Sequence, residues 1–360
     1  MKKAIYFFQY LPPWRVDVFN RMAEYYDLTV VFFNAEQEGF TYDRKVLLSK
    51  LKGIDVRFLT KGFSVGSRPV RFGIPALLKG IRPDVVFVHE YSTVSVELSL
   101  LKRRFGYRLY LTTSDTVDMA ESSGGLKAAA RGFVLRRAEG IVLYSRPVEA
   151  FYKTRFPWLK TGICPNIQNP ESLLAMRPDF KNPLPDGSRV ILYMGRLVDV
   201  KGLDLLLDTF AAVEHAGYRL VLVGDGREKE PRQRQAERLG IASDVLFAGF
   251  QFGAKLYEWY DRADFFVLPS RFEPFGAVVN ESLVLGCPGL ASKYIGALGF
   301  INDRNGIVFD PLDPEAFRSA LSSAMARFPS HSGGGPREGL LDVSFDEAVK
   351  TFKTIDDDAK

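Results

Sequence analysis

Short apolar runs, rich in β-branched and aromatic residues, recur along this chain between longer segments whose apolar positions follow a helical period. The runs predict strands at AIYFF (4–8), LTVVFF (28–33), DVVFVH (84–89), YRLYLT (107–112) and GIVLYS (140–145). A second series follows at RVILYMG (189–195), RLVLVG (219–224), DVLFAG (244–249), DFFVLPS (264–270) and GLAS (289–292). Helices are expected between them, as at GLDLLLDTFAAVEHA (202–216) and VVNESLVLG (278–286). Strands with no polar alternation, separated by helices, are buried on both faces, which predicts parallel sheets in a doubly wound α/β architecture.

The stretch 164–188, CPNIQNPESLLAMRPDFKNPLPDGS, holds no sustained period and precedes a fresh strand. Such Pro- and Asn-rich stretches join domains. The pattern therefore predicts two Rossmann-like domains, over 1–165 and 189–344, with a linker at 166–188 and a terminal helix over 345–360 expected to pack back on the first. A length of 360 residues suits two cores rather than one. Ligands of such folds bind at the carboxyl ends of the strands, so the site is expected where the two sheets face a central cleft. SHSGGGPREG (330–339) reads as a flexible surface loop, and the acidic run at 356–358 as solvated carboxylates.

Composition changes this picture little. Hydrophobic residues make up 46% of the chain and charged residues 25%, as in a soluble globular protein. MKKAIYFFQYLPPW has two lysines before an apolar run, but that run is short and ends in a proline pair, so it reads as a first strand rather than a leader. Two cysteines and three scattered histidines offer neither a disulfide framework nor a metal cluster, which fits a cytoplasmic setting.

Charge is more informative. The formal net charge of +5 is unevenly spread: residues 1–165 carry 26 Lys and Arg against 15 Asp and Glu, whereas the remainder is net acidic. A basic half suits an anionic partner such as nucleic acid, a membrane surface or a phosphorylated substrate, and equally a solvated face with no partner.

Candidate chemistry lies at the predicted strand ends. RVILYMG runs into Gly195-Arg196, and Lys201-Gly202 follows where a helix begins. Two cations beside a helix N-terminus make an anion site. The next strands end in Gly224-Asp225-Gly226 and in Gly249-Phe250, whose ring suits a base pocket; plain turns carry the same residues. After Ser270 comes RFEPFGAVVNESLVLG, which puts Glu273 in a loop with Pro274, Phe275 and Gly276, opens a helix at Ala277, and sets Glu281 in its second turn. An elongated ligand with a central diphosphate fits this spacing, with a carboxylate for hydroxyls at each side; a loop acid and an ordinary helix surface residue fit it too. In the first half, His89-Glu90 and Ser114-Asp115 stand at strand ends, where acceptor-site residues belong.

Taken in order, YMGRLVDVKGLDLLLDTF, LVLVGDG, ADFFVLPSRFEPFGAVVNESLVLGCPGLAS and RNGIVFDPLDPEAF resemble the family 4 glycosyltransferases, retaining enzymes of the GT-B fold that use nucleotide sugars. The resemblance is tight over 189–320 and loose before it. It implies that Arg196 and Lys201 neutralise the donor diphosphate, that Glu281 holds the ribose, and that Glu273 with the backbone of Pro274 to Gly276 grips the donor sugar. Glu273, Arg196 and Lys201, with His89 and Asp115 on the acceptor side, are the expected catalytic residues. Gly195, Gly224, Gly226, Phe250, Phe275 and Ala277 complete the expected donor site, and Arg15, His89, Glu90 and Asp115 the acceptor side. No cofactor or metal is implied; a UDP- or GDP-sugar is the expected co-substrate, and a glycan or lipid-linked hydroxyl the acceptor, in polysaccharide or glycolipid assembly.

The chain departs from the family pattern in three places. The loop after the first strand is QYLPPWRVDVF rather than glycine-rich, leaving Arg15 to supply charge. The linker reads Asn166-Ile167-Gln168-Asn169, and the loop after GLAS reads Ile295-Gly296-Ala297-Leu298-Gly299 without an acid. LSLLKRRFGYR (98–108) and LKAAARGFVLRRAEG (126–140) mix apolar and basic residues, which suits peripheral contact with an anionic leaflet. Rival readings are a GT-B sugar-nucleotide epimerase or phosphorylase and a non-catalytic sugar-binding protein. Nucleic acid is excluded as a partner because no aromatic-basic or helix-turn-helix pattern occurs.

Overall fold

The computed structural model describes residues 1–34, 43–65, 68–122, 124–175, 184, 187–251, 254–331, 335–342 and 344–357. Its contacts divide the chain into two compact units, Met1–Gln168 with Ser344–Lys360, and Asn169–Val343.

In the first unit the strands are β1 (Lys2–Phe8), β2 (Tyr26–Phe32), β3 (Asp55–Phe58), β4 (Gly62–Val65), β5 (Arg68–Arg71), β6 (Val85–His89), β7 (Arg108–Thr113), β8 (Gly140–Leu143) and β9 (Lys160–Ile163). Seven of them form one sheet in the order β3-β2-β1-β6-β7-β8-β9, and β4 and β5 pair as a separate antiparallel hairpin. Every pairing in the large sheet is parallel. β6 is buried at all five positions and β1 from Ala4 onward, which is why these strands read as unbroken apolar runs.

The second unit repeats the plan. Strands β10 (Arg189–Met194), β11 (Tyr218–Val223), β12 (Val245–Gly249), β13 (Phe265–Leu268), β14 (Gly289–Ser292) and β15 (Gly306–Phe309) form a parallel sheet in the order β12-β11-β10-β13-β14-β15. In both sheets the chain winds outward from a central strand, then crosses and winds the other way. The reversal falls between β1 and β6 in the first unit and between β10 and β13 in the second. Loops at such a switch point part from one another and leave a crevice at the carboxyl ends.

Several sequence-based expectations need correction. The helix expected over 202–216 is Leu203–Ala212, because Val213 leaves helical geometry. β3, the β4–β5 hairpin, β9 and β15 were not expected; each strand has only four residues, and those of β3 and β4 are largely exposed. The stretch read as a structureless linker contains a helix at Pro170–Leu174, capped by the Asn169 side chain, and its start at Cys164–Gln168 is buried. Residues 176–183 and 332–334, part of the expected linker and surface loop, lie outside the described residues.

The terminal helix, Phe345–Asp357, lies on the first unit, where Tyr26 donates to the Phe352 carbonyl and Thr351 to the Ile163 carbonyl. Asp356, expected to be solvated, is instead 1% exposed and ion-paired to Lys2 at 2.6 Å and Arg108 at 3.0 Å. Its spacing from Phe345, Val349 and Phe352 puts it on the buried face of the helix.

Candidate functional site

The second unit's switch point is built by the two loops that leave β10 and β13. The first runs from Gly195 to Gly202, and the helix Leu203–Ala212 follows. The second runs from Pro269 to Gly276, and the helix Ala277–Val284 follows. Both helices begin at a glycine in left-handed conformation with no side-chain cap. By contrast, Ser92, Asn169 and Asp313 cap the helices that follow them. Gly276 brings no capping side chain to the helix that begins at Ala277, as suits an anion-binding helix start.

The loops bring the two residues of opposite charge together. Lys201 forms an ion pair with Glu273, and both side chains are largely buried. Glu273 itself is fixed through its backbone: its N–H donates to the Tyr294 carbonyl at 3.1 Å, and its carbonyl accepts from Gly296 at 3.0 Å. Arg196 is exposed, and its carbonyl accepts from the Tyr193 hydroxyl at 2.9 Å. Burial and then the charge of Glu273 push the Tyr193 hydroxyl well above the ordinary phenol range, while Arg196 opposes them, so all three groups share one electrostatic neighbourhood.

Arg271 and Asp204 hold the loops to one another, and neither was expected from the sequence. The Arg271 guanidinium grips the Asp204 carboxylate with two hydrogen bonds, at 2.8 and 2.6 Å, and also donates to the Asp199 carbonyl at 2.9 Å. The Arg271 N–H donates to the Val200 carbonyl at 2.8 Å. A bidentate fork with two backbone contacts fixes relative position as well as energy. Burial works to raise the Asp204 pKa, but hydrogen bonds from Arg271 and its charge outweigh that and hold it below the usual carboxylate range. The available signal was positional: Arg271 stands two residues before Glu273, and Asp204 three after Lys201.

The other expected donor residues occupy different roles. Glu281 is half-buried and accepts from the Tyr260 hydroxyl at 3.2 Å, which fixes one carboxylate oxygen from below. Gly224 has φ 144°, and a Cβ there would lie 1.9 Å from the Gly195 carbonyl oxygen. The same lacing brings Gly226 against Leu197, so these glycines fit the β11 loop to the β10 loop. Phe275 turns inward and packs edge-on against Phe300 at 5.9 Å, whereas Pro274 is exposed and Ala277 half-buried. Phe250 is exposed beside β12.

At the first unit's switch point, the loop after β1 meets the end of β6. Arg15 is 1% exposed, donates to the Tyr144 hydroxyl and lies over that ring at 5.0 Å, and its Nε and Nη1 have no hydrogen-bond partner among the described residues. The guanidinium expected to offer charge to a phosphate is therefore turned into the interior. His89 stacks on Phe8 at 4.1 Å, and its Nδ1 lies 2.9 Å from Thr112 Oγ1. Burial and then the nearby Arg15 charge lower its pKa well below the ordinary value, so His89 stays neutral. Glu90 has φ 65°, unusual for a side chain with a Cβ, and its carboxylate accepts from Thr113 Oγ1, Ser114 N and Ser114 Oγ. Such strain persists where the surroundings over-determine it and is frequent at functional sites.

Asp115 belongs to a separate buried cluster. Its carboxylate pairs with Arg131 and accepts from the Tyr152 hydroxyl at 2.9 Å, while Arg131 lies over the Tyr91 ring at 4.1 Å. A carboxylate committed in this way supports packing rather than proton transfer. Among the described residues, no three His, Cys, Asp or Glu side chains converge as metal ligands, and no helix is long and apolar enough to cross a membrane.

Comparison with known proteins places this geometry in context. Residues 177–329 match the family model for glycosyl transferases group 1. The chain is 34% identical over 143 residues to the lipopolysaccharide core biosynthesis glycosyltransferase LpsE of Rhizobium meliloti, which covers 39% of this chain and 41% of that protein. Among solved structures, the apo lipopolysaccharide outer core galactosyltransferase WaaB aligns with a TM-score of 0.70 at 18% identity, over 100% of both chains. The Anabaena protein HepE, solved with UDP, aligns with a TM-score of 0.72 at 18% identity, over 99% of this chain and 98% of that one. These alignments establish the two-domain GT-B fold.

Proposed function

We propose that the protein is a glycosyltransferase that moves a sugar from a nucleotide diphosphate donor to a hydroxyl acceptor. One observation carries the reading. At the second unit's switch point, within the segment that matches the group 1 family model, Lys201 and Glu273 meet beside a helix start left open by Gly276. The donor diphosphate lies against that helix start, with Arg196 and Lys201 as counter-ions; Glu281, steadied by Tyr260, takes the ribose hydroxyls and Glu273 those of the sugar. As the sugar–phosphate bond breaks, negative charge grows on the leaving diphosphate. Cations and N–H dipoles fixed in advance around that charge lower the barrier without a metal.

The finer assignments follow the family 4 pattern: the anomeric configuration is retained, the base is uracil or guanine, and the acceptor is a glycan or lipid-linked hydroxyl on the way to lipopolysaccharide or a related surface polymer. LpsE and WaaB, named for lipopolysaccharide work, support this direction. The acceptor is assigned to the first unit, where Glu90 and His89 stand at the strand ends. The basic character of that unit supports work against an anionic membrane surface, on the cytoplasmic face.

Thermal shift against UDP-, GDP-, ADP- and dTDP-sugars identifies the donor, because a ligand that binds only the folded state raises its apparent stability. With that donor, nucleotide release is then followed in wild type, Arg196→Ala and Glu273→Gln. Both variants are expected to lose at least about a hundredfold in rate, the scale of one lost group aimed at transition-state charge. Full activity in both would overturn the site. Conversion of the nucleotide sugar to its epimer, with the nucleotide still attached and no sugar transferred, would favour an epimerase.

A further inference from the structure

The structure moves the place where the first unit meets an anionic surface. The two segments nominated by the sequence turn their apolar faces inward: Leu98 and Tyr107 of one, and Val134 and Leu135 of the other, lie in the core. Their cations are partly spent, Lys102 on Glu139 at 2.5 Å and Arg131 on Asp115. What remains outside is isolated, chiefly Leu100 and Leu126.

A different element has the opposite character. The β4–β5 hairpin stands apart from the seven-stranded sheet, and the pairing of Gly62 with Arg71 sets the aromatic residues beside them on one patch. Phe63 and Phe72 lie 5.9 Å apart between ring centroids, and are 53% and 58% exposed. The sequence around them, from Val56 to Pro83, has six Lys and Arg and not one Asp or Glu. Arg57 is ion-paired with Asp55 at 2.9 Å. Among the described residues, Lys61, Arg71, Lys79 and Arg82 form no ion pair, and Arg71 spends its hydrogen bonds on neutral acceptors, the Phe33 carbonyl and Asn34 Oδ1. Thr93 donates to the Pro69 carbonyl, which ties the hairpin to the folded unit.

Two exposed phenyl rings cost free energy in water that is recovered in an apolar medium. Lys61 and Arg71, each within two residues along the chain of one of the rings, favour an anionic one. A bilayer interface containing anionic lipids offers both within a few ångströms, rings below the headgroups and cations among them. We propose that the β4–β5 hairpin, through Phe63 and Phe72 with Lys61 and its neighbouring cations, is the element that docks this protein on an anionic lipid surface. The inference rests on the reading that the first unit works against such a surface.

Flotation of the full chain with vesicles tests both, and needs no turnover. Wild type is expected to float with phosphatidylcholine vesicles containing phosphatidylglycerol at low salt, and to stay behind with pure phosphatidylcholine. The double variant Phe63→Ser/Phe72→Ser is expected to lose bound fraction about tenfold, as is Lys61→Glu to a smaller degree, whereas Leu126→Ser floats like wild type. Circular dichroism and Tm serve as the folding control, since both rings are exposed. If wild type fails to float, the membrane reading falls and the hairpin assignment with it. If wild type floats and the Phe63/Phe72 variant floats equally, the hairpin assignment alone is overturned. Loss of affinity for soluble dextran sulfate with flotation unchanged would likewise overturn it, in favour of an anionic glycan.

Discussion

At the scale of single residues, the ion pair between Lys201 and Glu273 keeps both groups in place without a donor. Lys201→Ala is therefore expected to weaken donor binding and also to release Glu273, so that KM rises and kcat falls together. Arg271 acts one step further back. Arg271→Ala should raise KM for the donor about tenfold by letting the two loops drift, and Arg271→Lys, which keeps the charge but not the fork, should recover only part of it. Initial rates across donor concentrations check both. In the first unit, the pKa of His89 is lowered by burial and by Arg15, so the unfolded chain binds a proton that the folded one refuses. That stabilisation is complete above pH 6.5, the ordinary value, and is lost as the pH falls from there toward the depressed folded value. Comparing Tm at pH 7.5 and 5.5 should show a smaller acid loss in His89→Gln than in wild type. The loop that carries Glu273, the helix start at Ala277 and the second turn that carries Glu281 were legible because their spacing along the chain already implied them. Arg15 and Asp115 were not, because sequence gives the end of a strand on which a side chain sits but not whether neighbours such as Tyr144 or Arg131 draw it inward.

At the scale of elements, long apolar runs such as AIYFF and RVILYM announced β1 and β10, since a parallel strand buried on both faces has no polar alternation to confuse it. β3 and the hairpin escaped because edge and surface strands lack that signature: three of the four β3 residues are exposed. The fit of the loops was also invisible in sequence, as Gly224 shows. Its turn suited a donor site or a plain turn, and the structure sets it against the Gly195 carbonyl. Gly224→Ala is expected to destabilise the second unit by about 3 kcal/mol, the upper end of what overpacking costs, because backbone rather than a flexible side chain must give way. Denaturant unfolding measures it, and an unchanged midpoint would contradict this packing.

At the scale of the whole molecule, the chain leaves its first unit at Gln168 and returns to it at Ser344. The terminal helix is thus part of the first unit's fold, with Asp356 as its buried anchor between Lys2 and Arg108. Asp356→Ala should cost about 3 kcal/mol, the usual loss when one partner of a buried pair is removed, and calorimetry should show the first unit alone melting earlier. In the proposed function, the second unit holds a nucleoside diphosphate between the cations after β10 and the helix start after β13. Isothermal titration of UDP and GDP into wild type and Arg196→Ala/Lys201→Ala tests it most directly. Saturable binding of one of them by the wild type is expected, with an affinity at least about a hundredfold weaker in the double variant, the scale of two lost charge-assisted hydrogen bonds. Equal affinity in the two proteins would contradict it.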